Sequence, residues 1–446
     1  MPFYKDRVFW YIFSALAFVK AAAFICICFF HPLGEAVLAF PDSLTYVYPA
    51  QTFLQYGSMW EAVSAAPMLL RTPGYPFFLA LVQLVFHNLT WAVALAQNLL
   101  SLALLIPVYL TARQLSGRTA ARWAAGFCAV SVLYFSLSFA VLTEILCAFL
   151  LAWFVYFIIR FFAAPRTRDL FCSALFLAAA VYVRPAAYYF MFAAVITLAC
   201  FCASGMVRFS AKKLLLAFVL PLAALAGAWQ ARNALTAGFN GFTTVGAYNL
   251  YIWNEDYLAR KFNLTVPQAH DMLQRALPPG FDALPPAHQA RIYKAIAAPL
   301  LRESFLYKLS RAPLWAGKTL FGANFVHFSR LLGAGPAEEP DGQMLNHTSA
   351  VHTDRLNGLF SKSLFALAAG QVFIVVLLGI GGFFPLWKMR RAETFFLALY
   401  CLYFWGIGST FFGAYARFRA PFEFVLCITA GAGLAAWRAQ RKNKAG

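Results

Sequence analysis

Long apolar segments separated by small clusters of lysine and arginine dominate this sequence of 446 residues. Hydrophobic residues make up 62% of the chain and charged residues only 12%, which excludes an ordinary soluble domain. Segments of ~17–25 apolar residues can cross a bilayer as helices, which pair their own backbone polar groups inside the membrane. The sequence therefore predicts an all-α polytopic membrane protein.

Candidate spans were placed by their length and by the absence of charge. About ten segments qualify, and they are Val8–Phe30, Trp91–Ala112, Trp123–Ala140, Ile145–Ile159, Leu170–Val183, Ala186–Gly205, Leu214–Ala231, Ser363–Trp387, Thr394–Phe412 and Ala420–Trp437. Tyr75–Phe86 is also apolar, but counting it as a span would place the basic loop Arg113–Arg122 on the opposite side. We expect this segment to be a juxtamembrane or re-entrant helix.

The positive charges collect at one face once these spans are threaded through a membrane. The clusters are Lys5/Arg7, Arg113/Arg118/Arg122, Arg160/Arg166/Arg168, Arg208/Lys212/Lys213, Lys388/Arg390/Arg391 and Arg438/Arg441/Lys442/Lys444. Because positively charged loops stay in the cytoplasm, both termini are predicted to be cytoplasmic. The net charge of +19 lies mostly in these loops and the tail, so we expect membrane lipids as partners and no nucleic acid.

Two hydrophilic stretches remain for the outer face and suggest a division of the chain. Residues 1–235 are predicted to form an N-terminal transmembrane catalytic module that includes a first outer loop, 31–90. Residues 236–362 form a second outer loop, in which Pro286–Leu309 has the periodicity of an amphipathic helix, and we expect a small helical cap there. Residues 363–446 supply the C-terminal transmembrane helices and the basic tail.

Isolated ionisable residues lie at span ends on the outer face. They are Asp42, Arg71, Glu144, Arg184, Arg232, Arg417 and Arg419. Charges beside apolar spans are costly and usually line a cavity or bind a charged ligand. Converging guanidiniums suit a phosphate, and a nearby carboxylate suits a base. The plain alternative is that Asp42 caps a helix, Glu144 pairs with an arginine and the arginines reach lipid headgroups.

These residues occur in short motifs whose order is distinctive. The motifs are Asp42-Ser43, Arg71-Thr72-Pro73-Gly74-Tyr75-Pro76, Thr143-Glu144, Val183-Arg184-Pro185, Arg232-Asn233, Gly246-Ala247-Tyr248-Asn249-Leu250-Tyr251 and Arg417-Phe418-Arg419-Ala420-Pro421. In order and sidedness the chain resembles the integral-membrane glycosyltransferases of the GT-C superfamily. The nearest branch is the bacterial dolichyl-phosphate-mannose protein mannosyltransferase-like group, which includes the lipid A aminoarabinose transferases.

The resemblance implies transfer of a sugar from a polyprenyl-phosphate carrier to an acceptor on the outer side of the membrane. It makes Asp42 the catalytic acidic residue and Glu144 a second acidic residue of the site. It makes Arg71, Arg184, Arg232 and either Arg417 or Arg419 contacts of the carrier phosphate. The candidates for contacting the sugar are Tyr46, Tyr75, Tyr248, Asn249 and Trp253, although aromatic residues near span ends are also membrane-interface anchors.

The chain departs from the family at one point. Protein mannosyltransferases usually have two adjacent acidic residues where this chain has Asp42-Ser43, which argues against a protein acceptor and against a metal held by such a pair. No cofactor is expected, and a divalent cation is left open. His347, His352 and Asp354 lack the spacing of a metal site.

The predicted function is therefore an inverting sugar transfer from a polyprenyl-phosphate donor to the hydroxyl of a lipid or glycan. Asp42 would be the base, and the active site would face the periplasm in a bacterial inner membrane. Two alternatives remain open. A transporter or flippase would need polar groups along a path, whereas Lys20 is the main charge at mid-depth in a span. A lipid-linked glycan polymerase or ligase would differ only in its donor.

Overall fold

The computed structural model describes residues 3–31, 38, 40, 42–61, 66–86, 89–332, 358–410 and 415–445. Within these residues the regular structure consists of helices, with one isolated bridge between Trp60 and Pro67 and no strand. The prediction of an all-α polytopic membrane protein is confirmed. His347, His352 and Asp354 lie outside the described residues.

The helices follow one another with short connections. The first half of the chain forms α1 (Arg7–Phe30), α2 (Leu44–Tyr56), α3 (Gly74–Phe86), α4 (Leu89–Ala103), α5 (Leu105–Ala129), α6 (Val132–Leu137), α7 (Glu144–Ala163), α8 (Thr167–Val183), α9 (Ala186–Ala203), α10 (Ala211–Leu214) and α11 (Leu220–Ala237). The second half forms α12 (Val245–Ile252), α13 (Glu255–Lys261), α14 (Val266–Arg275), α15 (Pro286–Glu303), α16 (Phe305–Phe321), α17 (Phe325–Leu331), α18 (Gly358–Met389), α19 (Arg391–Thr410) and α20 (Ala420–Ala445).

Seven helical stretches among the described residues are long and apolar enough to cross a membrane. They are Arg7–Phe30, Trp91–Ala129, Glu144–Ala163, Ala186–Ala203, Ala211–Ala237, Lys362–Met389 and Ala416–Arg441. The helix α8, with 17 residues, and α19 are not among them, so the number of about ten spans stays a prediction. The apolar helix α3 has 13 residues, too few to cross a bilayer.

The stretch Trp91–Ala129 contains a reversal of the chain. The helix α5 is broken at Gly117, whose φ of 83° is in the left-handed region. Tyr109 and Arg122 lie on opposite sides of the break, yet both bind the Asp6 carboxylate, at 2.6 and 2.9 Å. In a straight helix these two residues would be about 20 Å apart. The two arms of α5 therefore run back along each other, as two spans joined by a basic loop would.

The predicted span Trp123–Ala140 is wrong in its second half. The helix α5 ends at Ala129, and Ser131 caps the short helix α6 by accepting a hydrogen bond from the Tyr134 N–H at 3.1 Å. This segment is packed on all sides, so its apolar run carries no periodicity that marks the break. The interruption leaves room for the turn that leads to Glu144.

The helix α20 lies at the centre of the bundle and packs closely on α5 and α18 through glycines. A Cβ at Gly431 would lie 2.8 Å from the Ala124 nitrogen, and a Cβ at Gly379 would lie 2.9 Å from the Leu426 carbonyl oxygen. Small residues at such crossings let helix backbones approach in membranes. This packing fixes the start of α20, where Arg417 and Arg419 are located.

The charged residues occupy two opposite ends of this bundle. The helix α7 begins at Glu144 and carries Arg160 in its last turn. The helix α20 begins beside Arg417 and carries Arg438 near its other end. The Arg438 guanidinium lies 4.7 Å from the Trp123 ring. The basic clusters and the isolated outer charges are thus separated by the length of the helices. The membrane side that each end faces stays a prediction.

The helices α12–α15 share a small apolar core of their own. Its buried members are Tyr251, Leu258, Ala259, Ala269, Leu273 and Ala297. The helix α14 starts with a capping box in which Thr265 and Gln268 bond each other's backbone N–H groups. These helices occupy the segment for which a cap was expected, and the division at 235 and 362 remains a prediction.

Candidate active site

The carboxylate of Asp42 is held between two arginines from distant parts of the chain. Its Oδ1 lies 2.8 Å from Arg71 Nη2, and its Oδ2 lies 3.0 Å from Arg417 Nη2. The side chain of Asp42 is 33% exposed, whereas both arginines are about half as exposed, at 16% and 15%. A molecule approaching from water would therefore meet this carboxylate together with the two guanidiniums.

Glu144 extends the same network inward. Its Oε1 lies 2.7 Å from Arg184 Nη1 and 3.9 Å from Arg417 Nε, and its side chain is only 2% exposed. Arg417 thus contacts both carboxylates. Three guanidiniums against two carboxylates leave a formal net charge of +1 (3 − 2) in a largely enclosed cluster. Such a cluster favours an anionic ligand.

Two hydroxyls fix Asp42 in place. Ser43 accepts a hydrogen bond from the Phe40 N–H at 2.9 Å and donates one to the Val141 carbonyl at 3.0 Å. Thr45 donates to the Asp42 carbonyl at 2.6 Å and accepts from Arg71 Nε at 2.9 Å. The residue after Asp42 is therefore a buried link to the segment before Glu144. Sequence reasoning missed both roles, because neither hydroxyl belongs to a charge pattern.

The motif around Arg71 is explained by the packing of α3. This helix begins at Gly74, and a Cβ on Gly74 would lie 2.7 Å from the carbonyl carbon of Tyr182. The start of α3 therefore approaches the end of α8 at a distance that only glycine permits. Because Arg184 follows directly after α8, this contact sets the separation of Arg71 and Arg184.

Arg232 is placed beside the cluster and not in it. Its Nη1 donates to the Met68 carbonyl at 2.8 Å, and its guanidinium lies 4.7 Å from the Trp229 ring. Met68 belongs to the two segments joined by the bridge between Trp60 and Pro67, which we call the hairpin. In this hairpin, Glu61 Oε1 accepts hydrogen bonds from the N–H groups of Leu69 and Leu70 at 2.7 and 2.8 Å. These bonds hold the chain just before Arg71. The predicted phosphate contact by Arg232 is not supported by this geometry, and sequence reasoning missed Glu61.

Of the two arginines in the motif 417–421, only Arg417 contacts the carboxylates of Asp42 and Glu144. Arg419 is 1% exposed, and its Nε lies 2.7 Å from Glu423 Oε2. Its Nη1 donates to the carbonyls of Thr319, Leu320 and Gly322 at 3.1, 2.7 and 2.8 Å. A guanidinium held in this way caps the end of α16 and cannot reach a phosphate. These contacts of Arg419 are structural, so of the predicted alternatives Arg417 and Arg419 the geometry favours Arg417, and a phosphate contact stays a prediction.

The tyrosines predicted to contact sugar fall into two groups. Tyr46 is buried with its ring 4.6 Å from the Arg71 guanidinium. Tyr75 is fully buried and donates to Gln97 Oε1 at 3.2 Å. The Tyr46 ring supports Arg71, and the Tyr75 ring lies 5.2 Å from the Tyr46 ring. Both rings are buried and present no open face to a sugar. Tyr248 and Asn249, on α12, are partly exposed.

Tyr415 is an aromatic residue near the cluster for which the sequence predicted no role. The Tyr415 ring lies 5.5 Å from the Arg417 guanidinium and 5.6 Å from the Trp253 ring. Tyr415 lies two residues before Arg417, so its position in the sequence was the available signal. These contacts connect α12–α13 to the arginine side of the site.

The protonation of Asp42 follows from its two partners. Burial alone would raise the pKa of Asp42, but the positive charges of Arg71 and Arg417 outweigh it and hold the pKa well below its usual range. The carboxylate is therefore ionised at any physiological pH. It is also a weak base as long as both guanidiniums remain bound.

The donor set does not favour a metal ion. Within the described residues there is no group of three or more His, Cys, Asp and Glu side chains that could hold one. Both oxygens of Asp42 already accept from guanidiniums, and arginines lie between the two carboxylates. A divalent cation would have to displace an arginine from Asp42.

Comparison with known families agrees with the motifs. The model of the family described as dolichyl-phosphate-mannose-protein mannosyltransferase matches residues 70–229. The match includes Arg71, Glu144 and Arg184, and it covers a little over a third of the chain. It confirms the resemblance to the GT-C glycosyltransferases in that segment. No curated protein matches the sequence.

Similar folds occur among solved structures. The oligosaccharyltransferase of Archaeoglobus fulgidus in the apo form has a TM-score of 0.52 and 14% identity, over 99% of this chain and 53% of that chain. The same protein, AglB, in complex with an inhibitory peptide and a dolichol-phosphate gives a TM-score of 0.51 and 13% identity, over 97% of this chain and 52% of that chain. The chain thus spans about half the length of this enzyme, and the likeness shows the fold alone.

A third similar structure is ArnT from Cupriavidus metallidurans in the apo state. Its identity is 14% and its TM-score 0.41, over 95% of this chain and 76% of that chain.

Proposed function

We propose that this protein is a glycosyltransferase that moves a sugar from a polyprenyl-phosphate donor to an acceptor hydroxyl at the outer face of a membrane. The observation that carries the proposal is the Asp42 carboxylate bridged by Arg71 and Arg417 at one end of a helical bundle. The family match over residues 70–229 supports transferase chemistry. A structure of AglB, which shares the fold, contains a dolichol-phosphate, and this supports a lipid-phosphate donor.

The arginines are proposed to bind the donor phosphate. Arg71, Arg184 and Arg417 present guanidiniums that stay charged and donate in a planar fork. The phosphate is the leaving group, so negative charge develops on it as the bond to the sugar breaks. Fixed positive charge at that point lowers the barrier. The donor is a phosphodiester with one negative charge, so its binding would bring the formal charge of the cluster from +1 to 0 (1 − 1), and further negative charge develops as the phosphate departs.

Asp42 is proposed to act as the base, and donor binding would prepare it for that role. A phosphate that draws Arg71 and Arg417 towards itself removes the charges that hold the pKa of Asp42 low. The acceptor oxygen then attacks the anomeric carbon while its proton passes to Asp42. The bond between that carbon and the phosphate oxygen breaks, and the electron pair leaves with the phosphate. One displacement of this kind inverts the anomeric configuration.

Glu144 is proposed to orient the arginines. With 2% of its side chain exposed and its Oε1 at 2.7 Å from Arg184, it is too enclosed to meet an acceptor directly. Its charge offsets part of the cost of placing three guanidiniums at a span end. Tyr248 and Asn249, at the water side, remain the candidates for the sugar, and which sugar is transferred is left to experiment.

The proposed location is a bacterial inner membrane, with the basic ends of the helices in the cytoplasm and the Asp42 cluster at the periplasm. A lipid-linked glycan polymerase or ligase is the second candidate, because the similar fold of an oligosaccharyltransferase would suit an oligosaccharide donor. The two candidates share the site and differ in the donor.

The test uses purified protein in proteoliposomes. Radiolabelled polyprenyl-phosphate monosaccharides and oligosaccharides are supplied with a mixture of membrane lipids and glycans, in parallel with Asp42→Asn. Label that moves to an acceptor with the wild type alone supports the proposal, and the donor used separates transferase from polymerase. Label that crosses the bilayer without transfer would overturn it in favour of a flippase.

A further inference from the structure

The helices α12–α15, which we call the cap, contain a carboxylate that lies outside the arginine cluster. Glu255 begins α13, and its Oε1 lies 2.6 Å from His270 Nδ1 on α14. The Glu255 side chain is 19% exposed and that of His270 is 42% exposed. Among the described residues, Glu255 Oε2 accepts no hydrogen bond. The pair therefore has a fixed carboxylate with one oxygen available.

The turn that carries Glu255 touches the arginine side of the site. Trp253, two residues earlier, has its ring 5.6 Å from the ring of Tyr415. Tyr415 in turn lies 5.5 Å from the guanidinium of Arg417. These contacts connect the start of α13 to Arg417, which is a member of the arginine cluster formed by Arg71, Arg184 and Arg417.

Two phenols are close enough to Glu255 and Asp42 for the charge of both carboxylates to act on them. Burial raises the pKa of Tyr248, and the charges of Arg71, Asp42 and Glu255 all act on it. Burial also raises the pKa of Tyr415 to about 12, and the charges of Arg417, Glu255 and Asp42 act on that phenol as well. Because both carboxylates influence both phenols, and Trp253 and Tyr415 connect α13 to Arg417, Glu255 and the two rings belong to the surroundings of the site.

We infer that Glu255, oriented by His270, binds the acceptor of the reaction by accepting a hydrogen bond from one of its sugar hydroxyls, with Tyr248 and Tyr415 against the sugar. The inference rests on the proposed function and names its acceptor class: a glycan or glycolipid with a sugar at the attacking end. Aromatic faces pack on the apolar faces of sugars, and carboxylates accept their hydroxyls.

The arrangement favours the acceptor over the donor for this position. A donor phosphate is attracted to Arg71, Arg184 and Arg417 and repelled by Glu255. Both oxygens of Asp42 are occupied by guanidiniums, so Glu255 is the better place to bind a hydroxyl before reaction.

The test compares Glu255→Gln with a matched change elsewhere in the cap. Glu303 pairs with Lys261 at the cap surface, and Glu303→Gln removes a carboxylate of the same kind from an exposed pair. For Glu255→Gln we expect the KM for a glycan acceptor to rise about tenfold, as for the loss of one hydrogen bond to a charged group. The KM for the donor should stay within about twofold of the wild type. Glu303→Gln should change neither value.

Direct binding separates this inference from the proposed function. Equilibrium dialysis with a radiolabelled glycan, without donor, should show weaker binding to Glu255→Gln and to His270→Gln than to the wild type and Glu303→Gln. An unchanged acceptor KM and unchanged dialysis in Glu255→Gln, while the wild type transfers sugar, would overturn the inference and leave the function standing. A lowered Tm with unchanged acceptor binding would assign the pair to cap stability and also overturn it. Absence of transfer by the wild type would overturn the function itself.

Discussion

Asp42 and Arg417 are 375 positions apart in the sequence, and their side chains are 3.0 Å apart in the structure. The same guanidinium lies 3.9 Å from Glu144. The site is therefore assembled from the first outer loop, the start of α7 and the start of α20. Arg184 joins it from the end of α8, and the geometry of the site depends on how well these segments are held.

Asp42→Asn should reduce sugar transfer by about 100- to 10,000-fold, the usual contribution of a general base. The amide has the size of the carboxylate and lacks its basicity, so the Tm in detergent should change little. The measurement is kcat with saturating donor, with the exposed cap residue Asp282 changed to Asn as the control. Activity near that of the wild type at equal protein levels would remove Asp42 from the base role.

Arg71→Lys should mainly change the KM for the donor, whereas Arg232→Ala should mainly change the Tm. Arg71→Lys keeps the charge and loses the planar fork, so the KM for the donor should rise roughly ten- to hundredfold, or about 1.5–3 kcal/mol. Arg232→Ala removes bonds from the hairpin at Met68 and should lower the Tm more than it raises the donor KM. A donor KM that rises equally in both variants would place Arg232 at the phosphate after all.

Arg419→Gln should destabilise the protein strongly. It leaves Glu423 as a buried charge without its partner and frees three carbonyls at the end of α16, a change that typically costs about 3–5 kcal/mol. Replacing both partners, as in Arg419→Met with Glu423→Leu, should cost much less. Thermal unfolding of the three proteins in detergent is the measurement. A single variant as stable as the double variant would show that the pair contributes little.

Gly74→Ala tests the approach of α3 to α8. A methyl group there would lie 2.7 Å from the Tyr182 carbonyl, so we expect a loss of about 1–3 kcal/mol and a displaced Arg71. Gly126→Ala is the matched control, because Gly126 is also helical and its Cβ would meet no atom within 4 Å. Similar Tm values and donor KM values for the two variants would contradict the close approach.

Lys308 should make the stability of the cap depend on pH. Burial lowers its pKa to about 8 from 10.5, and its ammonium lies 2.9 Å from Asn254 Oδ1. Between these pH values the unfolded chain binds more protons than the folded chain, so stability should rise with pH from about 8 to about 10.5. The full effect is on the order of 3 kcal/mol. The Tm measured from pH 7 to pH 10.5 should rise in the wild type more than in Lys308→Met; equal slopes would show that Lys308 is not the cause.

Much of the site follows from the cost of charge near a membrane. Asp42, Glu144, Arg71, Arg184 and Arg417 were predicted at one face because isolated charges at span ends need a ligand or a partner, and the structure brings these five together. Their roles in chemistry stay predictions. The order of the motifs pointed to these five residues together with Arg232 and Arg419.

What the sequence could not reveal depends on packing between distant segments. Arg417 and Arg419 are two residues apart and chemically identical, and only the position of α16 decides that Arg419 faces inward. Arg232 resembled the other outer arginines, but the hairpin at Met68 takes up its donors. The break after Ala129 was missed because hydropathy does not distinguish one buried helix from two.

The contribution of Arg417 also bears on how the protein is made. The guanidinium that bridges Asp42 and Glu144 comes from the turn that precedes α20, the last of the described helices. A nascent chain that has inserted all earlier helices would still lack this guanidinium, with Asp42 held by Arg71 alone. With the donor bound as proposed above, activity would begin only when α20 enters the bundle, and chains inserted without α20 would not consume the lipid carrier.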